Sequence, residues 1–422
     1  MTVYFTEQTG FFRDYSPDRL ITQFGSPLYV YNEAILRERC RDMVHLIDYP
    51  GFRANFSLKT NSNMEILKIA REEGLHADAM SPGEIYILLK AGFKPEEILF
   101  VPNNVSEEEM RYAAEKGILI SVDSISQLEM FGRLYPGRRV AVRFNPGKGA
   151  GHHEKVVTAG KKTKFGVNPE KLDDIKTVLA RYDLTLTGVS QHIGSLFLEC
   201  GHYLDAAAIL LDIAAQFETI EYVDFGGGFG IPYYKQESQP RLDIKKLGSG
   251  LTGMINEWVR SYDAKWHRGS AGNITFATEP GRYVVAESCV LLGTVHAIKS
   301  NYDITYIGTD IGFNVLARPV LYDSYHDIEL YRNGELVKPI KLKQVTIVGN
   351  ICESGDILAK DRSLPPVEEG DIIGIMDAGA YGFSMSSNYN NRLRPAEVLL
   401  RMDGSVSLIR RRDSFEDLIR NF

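Results

Sequence analysis

The feature that most limits what this chain can fold into is a repeat. Over the first two thirds of the sequence, short β-rich runs alternate with amphipathic helical stretches, each pair parted by a polar or glycine-marked stop. The β-rich runs fall at 51–58, 75–79, 98–101, 118–122, 139–144, 184–191, 222–225 and 274–278. Between them, stretches such as "NMEILKIAREEG" and "PGEIYILLKAGF" space apolar residues three and four apart, as one face of a helix requires. Eight such units over roughly 250 residues have the size and rhythm of a (β/α)8 barrel. An open doubly wound sheet is the competing architecture, but it seldom uses eight regular units.

After "EPGRYVV" the rhythm changes. Runs such as "SCVLLGTVHAIKS", "DITYIGTD", "QVTIVGN", "DIIGIMD" and "AEVLLRMDGSVSLI" alternate with period two between glycine and proline breaks. That pattern predicts an all-β domain, a β-barrel or sandwich. The expected division is a barrel over 36–285 and a β domain over 286–422, with 1–35 completing the latter through the strand-like "PLYVYNE".

Composition narrows the function. A formal net charge of -7 among 422 residues, with a pI near 5.8, argues against a nucleic-acid partner, which would need a basic face. No apolar run reaches the ~18 residues of a membrane span, and "MTVYFTEQTG" lacks the regions of a secretion signal. The four cysteines are scattered, without metal-ligand spacing or a disulfide framework. A reducing, cytoplasmic setting without membrane or metal is expected.

A barrel of this kind keeps its chemistry at the C-terminal ends of its strands. Those ends read Lys59, then Asp78 with Ser81, Asn103, Asp123, Arg143 with Asn145, His192 with Ser195, Gly226 to Gly228, and Glu279 with Arg282. Loop residues are ordinary at strand ends. A lysine, a histidine, three glycines and an acid–arginine pair on one rim are not. Successive glycines let a backbone approach an anion and point N–H groups at it, although taken alone they more often mark a tight turn. A lone lysine beside such a seat, with an acid and a histidine, suits pyridoxal 5'-phosphate. That cofactor needs an amine to hold it, a phosphate cradle and an acid at its pyridine nitrogen. Glu279 is the candidate acid, and His192 the candidate flat ring against the cofactor; a hydrogen-bonded core histidine is the plainer alternative.

Specific motifs then carry a resemblance. "FSLKTNSN", "HADAMSPGEI", "FNPG", "KFG", "QHIGS", "FGGGFGIPY", "EPGR", "ARPVLYDSYH", "CESGD", "DAGAYGFSMSSNYNNRLRPAEVL" and "LIRRR" run in order along nearly the whole chain. The chain resembles the barrel-type, alanine racemase-like pyridoxal-phosphate decarboxylases, closest to their diaminopimelate branch. The resemblance implies that Lys59 carries the cofactor through its amine, with Asp78, His192, Ser195, Gly226, Gly227, Gly228, Glu279, Gly281 and Arg282 around it. Tyr381 would complete the phosphate site or the substrate cavity, and Arg282 would also lie near a substrate carboxylate. It further implies that Cys352 donates a proton across a homodimer interface. Arg318 and Tyr322, which follow a strand-like run and lie on either side of a proline, would grip a distal carboxylate, and Glu353 a distal amine. Thr60 and Pro82 depart from the family pattern without touching a named role.

The expected activity is decarboxylation of meso-2,6-diaminopimelate to L-lysine and CO2. The same chemistry on D-ornithine, D-lysine, arginine, carboxynorspermidine or a siderophore or antibiotic intermediate is the nearest alternative, and an inactive partner-binding relative a more distant one. Segment 146–166, glycine-rich and basic, is expected to be a lid or substrate loop.

Overall fold

The computed structural model describes residues 4–147, 150–151, 163–267, 274–338 and 341–422. Most of segment 146–166, the expected lid, therefore lies outside the described residues. The chain divides into two compact units, one of Arg39–Ile231 and Arg241–Tyr283, the other of Met1–Glu38, Pro232–Pro240 and Val284–Phe422.

In the first of these, eight parallel strands close into a barrel, each beside its sequence neighbours. They are β1 (Phe52–Ser57), β2 (His76–Ala79), β3 (Ile98–Phe100), β4 (Leu119–Val122), β5 (Arg139–Arg143), β6 (Thr185–Ser190), β7 (Tyr222–Gly227) and β8 (Thr275–Glu279). The (β/α)8 expectation is met, and each run lies within two residues of its strand. Side chains alternate along a strand, so register decides which ones share a face. Ser57 pairs with Asp78, Arg143 with Ser190, and Ser190 with Asp224. These polar residues are all buried.

The intervening helices begin where their caps dictate. Asn63 accepts from Glu65 N at 3.0 Å to start Met64–Glu72, and Ser81 accepts from Glu84 N at 3.2 Å to start Pro82–Ala91. Each such cap satisfies one of the helix's orphan N–H donors and contributes about 1 kcal/mol. Pro82 sits in the first turn, where a missing N–H costs nothing. Ser81 at the second strand end is thus a helix cap.

The other unit is a ten-stranded mixed sheet with short helices. Strand Leu28–Asn32 lies inside it, antiparallel to Cys289–Asn301 and parallel to Ala396–Leu400. Leu28, Val30, Val290, Leu292, Val398 and Leu400 are completely buried in one apolar cluster, each stabilising by about 1.5–3 kcal/mol. The stretch before Arg318 is a turn rather than a strand, because Val315 N and Leu316 N both bond to Gly312 O at 2.9 and 3.1 Å. Arg318–Tyr322 is a short helix with Pro319 in its first turn. Among the described residues no helix is long and apolar enough to cross a membrane.

Candidate active site

Lys59 sits in a single 3-10 turn, Leu58–Thr60, directly after β1. Thr60 Oγ1 donates to Ser57 O at 2.7 Å and Asn61 N to Leu58 O at 3.0 Å, so the turn is fixed locally. Gly281 lets the chain after β8 close upon it, since a Cβ there would stand 2.5 Å from Thr60 Cγ2.

Around the lysine the barrel interior is charged. Asp78, Asp224 and Glu279 are each 3% exposed or less, and Arg143 is 6% exposed. Burial raises the carboxyls of Asp78 to about 6 and Asp224 to about 7. The Glu279 carboxyl is raised well above its usual range, first by burial and then by the charges of Asp224 and Asp78, against the pull of Lys59 and Arg143. Three acids thus share one low-dielectric space with two cations, so a proton among the acids is favoured over a third negative charge. His192, at the end of β6, shows the converse. Burial first, then the cations of Lys59 and Arg143, hold its imidazole well below the usual range, as a neutral flat ring.

The glycines at the end of β7 have a reason that the sequence reading did not supply. A Cβ on Gly226 would meet Gln191 O at 2.1 Å, one on Gly227 Glu279 O at 2.1 Å, and one on Gly228 Gly194 O at 2.7 Å. Gly226 and Gly228 also take φ values of +76° and +106°. Absent side chains here admit the protein's own backbone, and a register shift between Asp224 and Gly227 against β8 marks the bulge they create. Asp224 sets its shape: Oδ1 accepts Gly226 N–H at 2.8 Å and Oδ2 accepts from Asn55 Nδ2 at 3.2 Å. Close by, Arg282 Nη2 donates to Ser195 Oγ at 2.9 Å.

In the β unit, Arg318 is buried, and its Nη1 lies 2.7 Å from His326 Nε2. Tyr322 and Tyr381 are half-buried, and Tyr381 holds φ +57°, an uncommon value for a bulky residue. Cys352 is the exposed one among four free cysteines. Asp356 fixes its turn, accepting from Ile351 N at 2.8 Å and Phe313 N at 2.7 Å. Cys352 N donates to Asn390 Oδ1 at 2.8 Å, and Tyr389 OH to Glu353 Oε1 at 2.5 Å.

The structure therefore brings Lys59, Asp78, His192 and Glu279 into one electrostatic cluster. Asn103 and Asp123 instead hydrogen-bond to each other, and Asn145 is engaged by Thr163 Oγ1 and Gly147 N. Arg143, Asp224 and Asn55 belong with the cluster's charges and supports, and the sequence reading assigned none of them a role. A usable signal existed: Asn, Asp and Arg at alternate positions inside otherwise apolar strands. Gln191 stands beside them in the structure: its side-chain amide has no hydrogen-bond partner among the described residues although it is 1% exposed.

Comparison with known proteins gives this arrangement its class. Residues 33–286 match the family described as pyridoxal-dependent decarboxylase, pyridoxal binding domain. The chain belongs to the pyridoxal-dependent decarboxylases. Relatives matched over nearly the whole chain include diaminopimelate decarboxylases: that of Methanothermobacter thermautotrophicus is 41% identical over 409 residues, covering 95% of this chain and 92% of the relative. That of Escherichia coli K12 is 33% identical over 414 residues, with 95% and 94% covered. Diaminopimelate decarboxylase from Helicobacter pylori, crystallised with L-lysine, superposes with TM-score 0.84 at 30% identity, covering 96% of this chain and 98% of that one. The enzyme from M. jannaschii, also with L-lysine, gives 0.82 at 33% identity, with 95% and 93% covered.

The cofactor of this family is pyridoxal phosphate, and the donor set fits it. An amine, an acid disposed to hold a proton, a neutral ring and a hydrogen-bonded arginine–serine pair lie in one barrel, with an orphaned amide at Gln191 awaiting a partner.

Proposed function

We propose that the chain decarboxylates meso-2,6-diaminopimelate to L-lysine and CO2, as a cytoplasmic homodimer in lysine biosynthesis. The end-to-end likeness to diaminopimelate decarboxylases, two of them solved with L-lysine, carries this reading.

When bound, pyridoxal phosphate supplies an electron-accepting pyridinium ring that disperses the charge left by departing CO2. Lys59 would hold it by its amine. Glu279, raised by burial and by Asp224, would keep a proton at the pyridine nitrogen, and uncharged His192 could lie on the ring without adding charge. Ser195, Arg282 and the N–H groups of Gly227 and Gly228 would take the phosphate with Tyr381, while Gly226, its N–H given to Asp224, would hold the shape of the loop; Arg282 would also lie near a substrate carboxylate. Asp78 and Gly281 would support the cofactor's surroundings. Arg318 and Tyr322 would bind the distal carboxylate, a guanidinium being suited to bidentate contact. Exposed Cys352 would give its proton to the reacting carbon in the neighbouring subunit, and Glu353 would hold the distal ammonium.

The test is L-lysine and CO2 formation from meso-diaminopimelate by the purified protein with pyridoxal phosphate. The Lys59→Ala variant should fold, lose the visible absorption of bound cofactor and release no CO2. Normal turnover in that variant would refute the assignment.

A further inference from the structure

Arg318 is a fully buried guanidinium at the start of the five-residue helix Arg318–Tyr322, and a buried guanidinium must be oriented by hydrogen bonds. Its Nη1 stands 2.7 Å from His326 Nε2, and His326 Nδ1 stands 2.7 Å from the carbonyl oxygen of Met376. Arginine only donates and a carbonyl only accepts. The imidazole must therefore accept at Nε2 and donate from Nδ1, which makes it neutral and fixes one tautomer. Tyr233 braces the pair: its ring meets that of His326 edge-on at 5.2 Å and lies 4.8 Å from the Arg318 guanidinium carbon. Behind them Arg362 Nη2 donates to His326 O at 3.2 Å while its guanidinium stacks 3.5 Å from the centre of the Tyr325 ring.

We infer that His326 is a positioning residue for substrate specificity, holding Arg318 in the orientation that receives a distal carboxylate. The inference rests on the reading of Arg318 given above. A neutral imidazole at this place orients the guanidinium fork without itself bringing a negative charge that would compete with an anionic ligand. The carboxylate next to His326 in sequence, Asp327, accepts from Tyr325 OH and Gln236 N at 3.0 Å each. His326 itself touches no reacting atom, so its removal should weaken binding and spare the chemical step. A loosened arginine binds carboxylate less well because bidentate contact tolerates misorientation of only ~10–20°.

The experiment compares His326→Leu, His326→Gln and Arg318→Ala as cofactor-loaded enzymes acting on meso-diaminopimelate. His326→Leu should raise KM about tenfold or more, equivalent to ~1.4 kcal/mol, with kcat within about twofold of wild type and unchanged cofactor absorption. His326→Gln, whose Oε1 can accept near the Nε2 position, should restore most of the affinity. If His326→Leu does not fold, His326→Asn takes its place, keeping a donor toward Met376 without an acceptor toward Arg318. A wild-type KM in the acceptor-lacking variant, beside a raised KM in Arg318→Ala, would overturn the inference and leave the reading of Arg318 standing. A wild-type KM in Arg318→Ala would remove that reading itself. Equal loss of kcat and cofactor absorption in the Leu and Gln variants would reduce His326 to a fold-supporting residue and likewise overturn the proposal.

Discussion

Asp224 shows how a single residue sets the electrostatics of the barrel mouth. Burial lifts it to about 7, while the Gly226 N–H and Asn55 pull the other way. The unfolded carboxyl titrates near its ordinary value of about 4. Between pH ~4 and ~7 the folded chain therefore keeps a proton that the unfolded chain has lost, and the group's contribution to stability falls as pH rises through that window. Compared without cofactor, Asp224→Asn should gain on the wild type as pH rises from 4.5 to 7.5, by on the order of a few kcal/mol. A difference in melting temperature that stays constant across that range would contradict this.

At the scale of elements, the glycine loop is the firmest case. Gly227→Ala puts a methyl group 2.1 Å from the Glu279 carbonyl oxygen, an overlap that only backbone movement relieves. A loss of about 1–3 kcal/mol or more is expected, read as a lower urea midpoint; a wild-type midpoint would count against the packing argument. The sequence already suggested a special backbone here, but for a ligand's sake. It could not show that Gln191 and Glu279 carbonyls fill the space, because those contacts join strands far apart in the chain. The eight barrel strands were legible because strand and helix periods alternate so regularly. The inward polar row of Asn55, Asp78, Arg143 and Asp224 was harder, since buried parallel strands are apolar on both faces and hide their orientation. The stretch before Arg318 reads as a strand by composition, yet the Gly312 carbonyl bonds turn it into the approach to a helix.

For the whole molecule, the proposed sharing of sites between subunits places Lys59 and Cys352 of different chains together. Lys59→Ala and Cys352→Ala homodimers should each be inactive. Mixing them under conditions that exchange subunits should restore up to about a quarter of wild-type activity, since half of the dimers are mixed and each regains one intact site of two. Mixed dimers that form and stay inactive would rule out sharing.

The central claim, that the site reads a distal amino-acid head group, is tested most directly by kcat/KM for meso-diaminopimelate against D-lysine. D-lysine keeps the reacting centre and lacks only the distal carboxylate. A site with a buried guanidinium for that carboxylate should reject it by roughly 10⁴-fold or more. Arg318→Ala should lower kcat/KM for meso-diaminopimelate by roughly 30- to several-thousand-fold, from the ~2–5 kcal/mol of a truncated buried charge pair, while scarcely changing D-lysine turnover. Efficient wild-type turnover of D-lysine with none of meso-diaminopimelate would contradict the account.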